Sequence, residues 1–195
     1  MTTGIVLFDN AEELDFAGPW EVFTMAAMLK GEGRVVMIAE HDRPVRCNKG
    51  MRVVPDHTFA DAPALDVVLV PGGQGTVVEM ENPVLLEWLR RVGGRAKWVT
   101  SVCTGAAVLH AAGFARGKRV TTHWMYADVL EQRGEVTVMR GCRYVRDGNV
   151  VTAAGVSAGI DMALWLVGQL YGAEFARQVQ RAIEYDPAPP YTAHV

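Results

Sequence analysis

The most informative segment of the chain lies near its middle, where residues 97–109 read Lys-Trp-Val-Thr-Ser-Val-Cys-Thr-Gly-Ala-Ala-Val-Leu. Residues 98–102 form a short apolar run, which is typical of a buried β-strand, and the small residues after it suit a helix. Cys103 stands at the joint. A strand that turns abruptly into a helix presents the joint residue at the carboxyl edge of the sheet, where ligands bind in open α/β folds. We therefore predict a nucleophile elbow at Cys103.

The segments around this elbow predict the rest of the fold. Similar short apolar runs occupy 4–8, 35–39 and 67–71, and segments with helical spacing lie at 19–30, 83–91, 105–112, 125–132 and 157–171. Alternating strands and helices favour a mostly parallel, doubly wound, flavodoxin-like sheet in a three-layer α/β sandwich. Residues 45–54 and 136–151 alternate more, and they predict antiparallel edge strands with a hairpin turn at Asp147-Gly148-Asn149.

Composition narrows the class of protein. A chain of 195 residues with 50% hydrophobic and 21% charged residues suits one globular domain over 1–195, and the proline-rich stretch 186–190 is expected to extend away from it. The net charge of −3 without a basic stripe indicates no nucleic-acid partner. The start lacks a basic region before its apolar run, and no apolar run reaches about 18 residues. We expect a cytoplasmic protein without a membrane partner.

Three cysteines, Cys47, Cys103 and Cys142, show no C-x-x-C spacing, which argues against a disulfide framework and a thiolate zinc site. The histidines likewise lack metal-ligand spacing, so we expect no metal and no cofactor. A thiol at a helix N-terminus has a lowered pKa, and Cys103 would then be an activated nucleophile. The alternative is a small core residue, as free cysteines often are; the elbow context favours the nucleophile.

Two other segments are expected at the same edge of the sheet. Pro71-Gly72-Gly73 follows a strand, and its backbone N–H groups could form an oxyanion hole, although a tight turn that needs positive φ explains the glycines equally well. The acidic residues of 12–15 follow the first strand, and one of them could shuttle a proton beside the thiol. The alternative is that they only complement a helix dipole.

With these segments in place, the chain resembles the ThiJ/PfpI superfamily, whose fold is like that of class I glutamine amidotransferases. The resemblance covers nearly the whole chain and rests on segments that occur in the family's order: 15–19, 71–73, 101–105, 121–124 and 154–161. It implies that Cys103 is the nucleophile, that Asp15 contacts it, and that the backbones of Gly73 and Thr104 are oxyanion donors. Gly72 and His123 are implied as residues lining the site, although a histidine bonded to the backbone at a strand end explains His123 equally well.

The resemblance also indicates a branch of the superfamily. Members described as peptidases often carry histidine directly after the cysteine, whereas this chain has Thr104, which weakens the peptidase interpretation. Aspartate at position 15 and Thr-Thr-His-Trp at 121–124 look most like isocyanide hydratases and the amidotransferase-like domains of AraC-type regulators. Such regulators append a helix-turn-helix module of roughly 100 residues, and a chain near the size of one domain is expected to lack it.

The resemblance therefore implies a cofactor-independent lyase that acts on a small molecule. The expected reaction is the hydration of an isocyanide. Cys103 adds to the isocyanide carbon, Asp15 moves the proton, and hydrolysis of the resulting thioimidate releases an N-substituted formamide. Two alternatives stay open: a glyoxalase or deglycase acting on small aldehydes, and a non-catalytic redox or small-molecule sensor. A homodimer is expected by analogy with the superfamily.

Overall fold

A computed structural model describes residues 1–187 and contains an α/β domain built on a central sheet. The strands are β1 Thr2–Leu7, β2 Arg34–Ala39, β3 Val45–Arg46, β4 Arg52–Val53, β5 His57–Thr58, β6 Val67–Val70, β7 Trp98–Val102, β8 Lys118–Val120, β9 Val136–Val138, β10 Tyr144–Asp147 and β11 Val150–Ala153. Within the described residues, the central sheet has seven strands in the order β10-β11-β7-β6-β1-β2-β5.

The pairing of the strands confirms a mostly parallel, doubly wound sheet. β1 pairs in parallel with β2 on one side and β6 on the other, and β6, β7 and β11 continue in parallel. These five strands follow the flavodoxin-like order. The edge strand β10 is antiparallel to β11, and the two are joined through Gly148 with φ of 64°, as the predicted hairpin turn requires.

Helices flank the sheet. They are α1 Glu13–Lys30, α2 Thr76–Glu79, α3 Pro83–Gly93, α4 Gly105–Ala111, α5 Ala127–Gln132, α6 Ala158–Tyr171 and α7 Ala173–Ala182, with a 3-10 turn at Trp124–Tyr126 before α5. α1, α6 and α7 pack together, while α3 and α4 lie against β6 and β7. α3 has Pro83 in its first turn and Asn82 as its cap, whose side chain accepts hydrogen bonds from the backbone N–H groups of Val84 and Leu85.

The first helix begins earlier than predicted. A proline commonly marks the first helical position, which places the start at 19, but α1 begins at Glu13 and contains Pro19 in its interior. Pro19 is buried against α6, where a Cβ built on Gly159 would lie 3.0 Å from the proline ring. This packing of α1 on α6 compensates for the backbone hydrogen bond that proline removes.

One predicted edge segment, 45–54, and the first part of the other, 136–151, lie outside the central sheet. Residues 45–54 form the separate hairpin β3-β4, because their backbone bonds the loop after β1, with Asn10 N–H donating to Arg46 O at 2.8 Å and Asn48 N–H donating to Ala11 O at 2.9 Å. β9 pairs in parallel with β8, not antiparallel at the edge, because β10 already occupies the edge beside β11. Of the stretch 186–190, residues 188–190 lie outside the described part of the chain.

The core lies on both faces of the parallel strands. β6 is buried along its whole length, and the inner faces of α1, α4 and α6 are fully buried as well. Among residues 1–187, no helix combines the length and the apolar character needed to cross a membrane. Three neighbouring parallel strands, β1, β6 and β7, each end in a loop at the same edge of the sheet, so the residues after them meet there.

Candidate active site

Cys103 occupies a strained turn between β7 and α4. Its backbone φ is +57°, in the left-handed region that residues other than glycine rarely adopt and that costs about 1–3 kcal/mol when imposed. Two hydrogen bonds hold the turn: Cys103 N–H donates to Ala153 O at 3.0 Å, and the Thr122 hydroxyl donates to Cys103 O at 2.8 Å. The predicted elbow is therefore present, with the cysteine fixed by β11 and the segment after β8.

Asp15 lies in the first turn of α1 and is completely buried. Its Oδ2 accepts a hydrogen bond of 2.8 Å from Gly72 N–H, while Oδ1 is buried without a hydrogen-bond partner among the described residues. Burial raises the pKa of Asp15 from 3.8 to about 7, and the Gly72 amide opposes that rise. The carboxyl group can therefore gain and lose a proton near neutral pH, which is the property a proton shuttle needs.

The Cys103 thiol is not the low-pKa group that the sequence predicts. Burial, followed by the neighbouring Asp15 carboxylate, raises the pKa of Cys103 to about 12, and the N–H and hydroxyl of Thr104 only partly offset this. The N-terminus of α4 lowers the pKa of Cys103 only weakly, because this helix has only seven residues. The pair therefore rests as a neutral thiol beside a carboxyl group that titrates around pH 7.

The glycine turn after β6 lies against the elbow. A Cβ built on Gly72 would come within 2.7 Å of Cys103 Cβ and within 2.6 Å of Thr104 N, so only glycine fits here without displacing the elbow. Gly73 has φ of +115°, so the turn also needs a positive φ. Its N–H donates to Thr104 Oγ1 at 3.0 Å, and this donor, expected to face an oxyanion, is already engaged within the protein.

The other acidic residues at this edge have structural partners. Glu12 forms an ion pair with the Lys49 side chain, and Glu13 accepts the Lys49 backbone N–H at 2.6 Å. Both contacts join the start of α1 to the β3-β4 hairpin. Of the acids at 12–15, Asp15 is therefore the one placed to act on the thiol.

His123 caps the 3-10 turn and makes no hydrogen bond to Cys103 within the described residues. Its Nδ1 accepts from Met125 N–H at 3.3 Å, and its ring lies against Gly155, where an added Cβ would be 2.7 Å away. It lines a cavity of about 380 Å³ together with Trp124 and Cys142, and Cys103 is not among the residues lining that cavity. The backbone-bonded role therefore describes His123 in this structure.

The two remaining cysteines lie apart from the elbow. Cys47 is buried in the turn after β3, and burial raises its pKa to about 11, whereas Cys142 is half-buried. No group of three His, Cys, Asp or Glu residues within 1–187 is arranged to hold a metal ion.

Two threonines, Thr122 and Thr76, contact the site, and the sequence motifs do not predict a role for either side chain. Thr122 holds the Cys103 carbonyl, and Thr76 bonds both Gly73 O and the Thr104 hydroxyl, at 2.7 and 3.1 Å. A threonine three residues after the glycine turn is the sequence signal for Thr76, because a hydroxyl at that spacing can bond back to the turn.

A buried cysteine on an elbow, with a buried carboxyl group delivered by the helix after β1, defines a class of α/β proteins. The chain belongs to the DJ-1/PfpI family, whose family model matches residues 2–169. This confirms the resemblance that the sequence motifs indicate.

The chain is similar to relatives with diverse descriptions. It is 43% identical over 188 residues to an isonitrile hydratase of Pseudomonas putida, covering 96% of this chain and 80% of the relative. It is 34% identical to the Parkinson disease protein 7 homolog of Danio rerio, covering 90% and 93%. Among solved structures, a ThiJ/PfpI family protein from Pseudomonas syringae has a TM-score of 0.89 and 34% identity, covering 100% of this chain and 78% of that one.

Proposed function

We propose that this protein is a cofactor-independent hydratase that adds water to an isocyanide, R–N≡C, and releases the N-substituted formamide, R–NH–CHO. The observation that carries the proposal is the buried pair of Asp15 and Cys103, in which a carboxyl group with a pKa of about 7 adjoins a neutral thiol. The 43% identity to an isonitrile hydratase supports the same chemistry.

The first step joins the thiol to the substrate. Protonated Asp15 gives its proton to the terminal isocyanide carbon while the Cys103 sulfur forms a bond to that carbon, and the thiol proton passes to Asp15. The product is a thioimidate, R–N=CH–S–Cys103, with the carboxyl group protonated again. Since Asp15 has a pKa near 7, it can donate and accept in one cycle without a large energetic penalty in either direction.

The second step consumes water. The Asp15 carboxyl group donates a proton to the thioimidate nitrogen, and its carboxylate then takes one from water as the oxygen attacks the carbon. The tetrahedral R–NH–CH(OH)–S–Cys103 then collapses. The protonated Asp15 gives its proton to the sulfur as the C–S bond breaks, its carboxylate takes the hydroxyl proton, and the formamide departs. The N–H and hydroxyl of Thr104 lower the pKa of Cys103, so they stabilise the sulfur as charge develops there.

The Gly73 N–H already donates a hydrogen bond within the protein, and this favours an isocyanide over a carbonyl compound as the substrate. Thiol addition to an aldehyde or an acyl group places negative charge on oxygen, which calls for a free oxyanion donor. Addition to an isocyanide carbon develops no oxyanion in its first step. A site whose Gly73 N–H already bonds Thr104 Oγ1 at 3.0 Å therefore suits the isocyanide better.

The two alternatives find less support in the site. Aldehyde chemistry of the glyoxalase type needs a second group that moves a proton at carbon, and His123 spends its Nδ1 on Met125 N–H. Oxidation sensing needs an accessible thiol with a low pKa, whereas Cys103 is buried and its pKa is raised.

The test is formamide production from a small aryl isocyanide, followed by mass spectrometry with the intact protein mass recorded in parallel. Wild type and the control Cys142→Ala are expected to turn over, and Cys103→Ala and Asp15→Asn to lose activity. Methylglyoxal serves as the comparison substrate. Full activity in Cys103→Ala or Asp15→Asn would refute the mechanism, and lactate from methylglyoxal without formamide would favour the aldehyde reaction.

The homodimer and the cytoplasmic location that the sequence predicts are part of the proposal. Sedimentation equilibrium of the purified chain, with a monomer mass of 21.3 kDa, measures the first of these directly. A monomer at assay concentrations with full turnover would separate the activity from dimer formation.

A further inference from the structure

The segment 154–161 is one of the motifs of the family, and none of the steps written above uses it. It connects β11 to α6 and ends in the first turn of that helix. This turn packs on the end of β7, because a Cβ built on Gly159 would lie 3.0 Å from the Val102 side chain. Val102 directly precedes Cys103, whose N–H donates to Ala153 O at the end of β11. The start of α6 therefore contacts the strand that carries the nucleophile.

The same turn packs on α1 close to Asp15. The Pro19 ring lies 3.0 Å from the Cβ built on Gly159. On the next residue of α6, the Ile160 side chain lies 2.8 Å from a Cβ built on Gly18. Pro19 has no N–H, so the carbonyl of Asp15, four residues earlier, cannot accept the usual helical hydrogen bond. The position of Asp15 therefore depends on the packing of α1 against α6.

Asp161, in the first turn of α6, is held by two segments from outside the helix. Its Oδ2 accepts a hydrogen bond of 2.6 Å from Arg143 Nε, and its Oδ1 accepts one of 2.8 Å from the Tyr185 hydroxyl. Arg143 precedes β10, and Tyr185 follows α7. Both oxygens of the carboxylate are thus engaged, in bonds that its charge strengthens.

Arg143 also holds both ends of the connection that leads into α6. Its backbone carbonyl accepts Ala154 N–H at 2.8 Å, and its side chain donates to Ser157 Oγ at 3.2 Å. Ser157 directly precedes α6, and within the described part of the chain its side chain makes no capping hydrogen bond to that helix. Arg143 and Asp161 therefore anchor the start of α6 in place of a side-chain cap.

We propose that Asp161 is a positioning residue, which fixes the start of α6 between β7 and α1 and so sets the placement of Asp15 against Cys103. It acts through its bonds to Arg143 and Tyr185 and does not touch the reacting atoms. The role deepens the proposed hydratase function and rests on it, because the positioned pair performs the chemistry there.

The position of Asp15 distinguishes this role from a purely structural one. An acid in the first turn of a helix also stabilises that helix through its dipole, so a loss of stability is expected in either case. Burial is the main cause that raises the pKa of Asp15 to about 7, and a displaced α6 admits water to this carboxyl group. Glu12, Cys103 and Lys49 are titratable groups that interact with Asp15, and no variant below changes them.

The test follows the side-chain carboxyl carbon of Asp15 by carbon-13 NMR from pH 4 to 9, in protein labelled at aspartate, with Asp15→Asn identifying the signal. Wild type is expected to titrate near pH 7. Asp161→Ala is expected to lower this pKa by about one unit, because partial hydration removes part of the effect of burial. Asp161→Asn repeats the measurement if the alanine variant does not fold.

Turnover gives a second readout of the same displacement. In Asp161→Ala the kcat for formamide production is expected to fall about tenfold with KM unchanged. The reason is that misplaced reacting groups lower the rate of the chemical steps, whereas Asp161 does not bind the substrate.

Two comparisons make the result specific. Arg143→Ala is expected to lower the Asp15 pKa as well, and Arg143→Ala combined with Asp161→Ala to show less than the sum of the two shifts, since both changes break the same bond. Asp128→Ala is the matched control. Asp128 also lies in the first turn of a helix, α5, and pairs with Arg140 at 2.6 Å, so its loss is expected to leave the Asp15 pKa and kcat unchanged.

A wild-type Asp15 pKa in folded Asp161→Ala, an equal shift in Asp128→Ala, or shifts that add in full in the double variant would each overturn the proposal. Because the titration needs no substrate, absence of formamide in wild type would refute the hydratase function while the NMR result still decides whether Asp161 positions Asp15.

Discussion

Replacing Asp15 by asparagine is expected to stabilise the protein at pH 8 while abolishing its activity. Asp15 is fully buried, and burial is the main reason that its pKa rises from 3.8 to about 7. Asparagine keeps nearly the same shape and an oxygen for the Gly72 N–H, but it carries no charge to bury. Above pH 7 the wild-type protein holds a buried carboxylate that the variant does not have.

The magnitude follows from the two pKa values. A carboxyl group with a higher pKa in the folded state binds its proton more tightly there, so its contribution to stability is fully present below pH 3.8 and is lost as the pH rises through about 7. One pKa unit corresponds to about 1.4 kcal/mol, so the loss approaches about 4 kcal/mol at alkaline pH, and about 2–3 kcal/mol of it falls between pH 5 and 8. Cys103 does not contribute to the pH dependence of stability between pH 5 and 8, because its pKa rises from 9.0 to about 12 and the thiol stays protonated throughout this range.

The assay is urea unfolding of wild type and Asp15→Asn at pH 5, 6, 7 and 8. The variant is expected to gain about 2–3 kcal/mol in unfolding free energy relative to wild type across this range. Asp66→Asn is the matched control. Ion pairing with Lys97 lowers the pKa of Asp66, so its contribution is lost only below pH 4 and the difference from wild type is expected to stay constant from pH 5 to 8. A constant difference for Asp15→Asn as well would refute the buried, near-neutral carboxyl group.

Three other substitutions test the residues that support the site and one helix away from it. Gly72→Ala places a Cβ 2.6 Å from Thr104 N, and it is expected to lower stability by about 1–3 kcal/mol and reduce turnover, as measured by thermal unfolding and formamide production. Asn82→Ala removes the cap of α3 and is expected to lower stability by about 1 kcal/mol in urea with turnover unchanged; a loss of turnover would contradict the separation of α3 from the site. Thr122→Val removes the 2.8 Å bond to Cys103 O and is expected to lower turnover and stability together, and unchanged turnover would show that the elbow does not depend on this bond.

The sequence predicts the frame of this protein because its strands are buried on both faces. Runs such as Val67–Val70 are apolar throughout and lie between turn residues, so their position and parallel pairing follow from pattern alone. The start of α1 does not follow, because Pro19 usually marks a first helical turn and only its burial against Gly159 of α6 explains its place inside a helix. Contacts between distant segments decide that boundary.

In the site, too, the sequence predicts some features, and others depend on contacts between distant segments. The elbow and its neighbouring acid are recognisable as motifs, but the pKa of Cys103 depends on its burial and on the distance to Asp15, which a helix-start argument omits. The Gly73 amide looks free in the sequence and is engaged only because Thr104 lies beside it across 31 positions. The contacts of the Thr76 hydroxyl with Gly73 O and Thr104 Oγ1 are visible only in three dimensions.

The left-handed backbone at Cys103 also limits which nucleophiles this scaffold can exchange by mutation. At a φ of +57° a residue with a branched Cβ meets severe steric strain, whereas serine and alanine are tolerated nearly as cysteine is. A library at this position can therefore sample thiol and primary alcohol chemistry, while threonine would add strain to the turn. At position 103, the backbone conformation therefore limits which nucleophilic side chains variants of this protein can carry, as much as the reactivity of those side chains does.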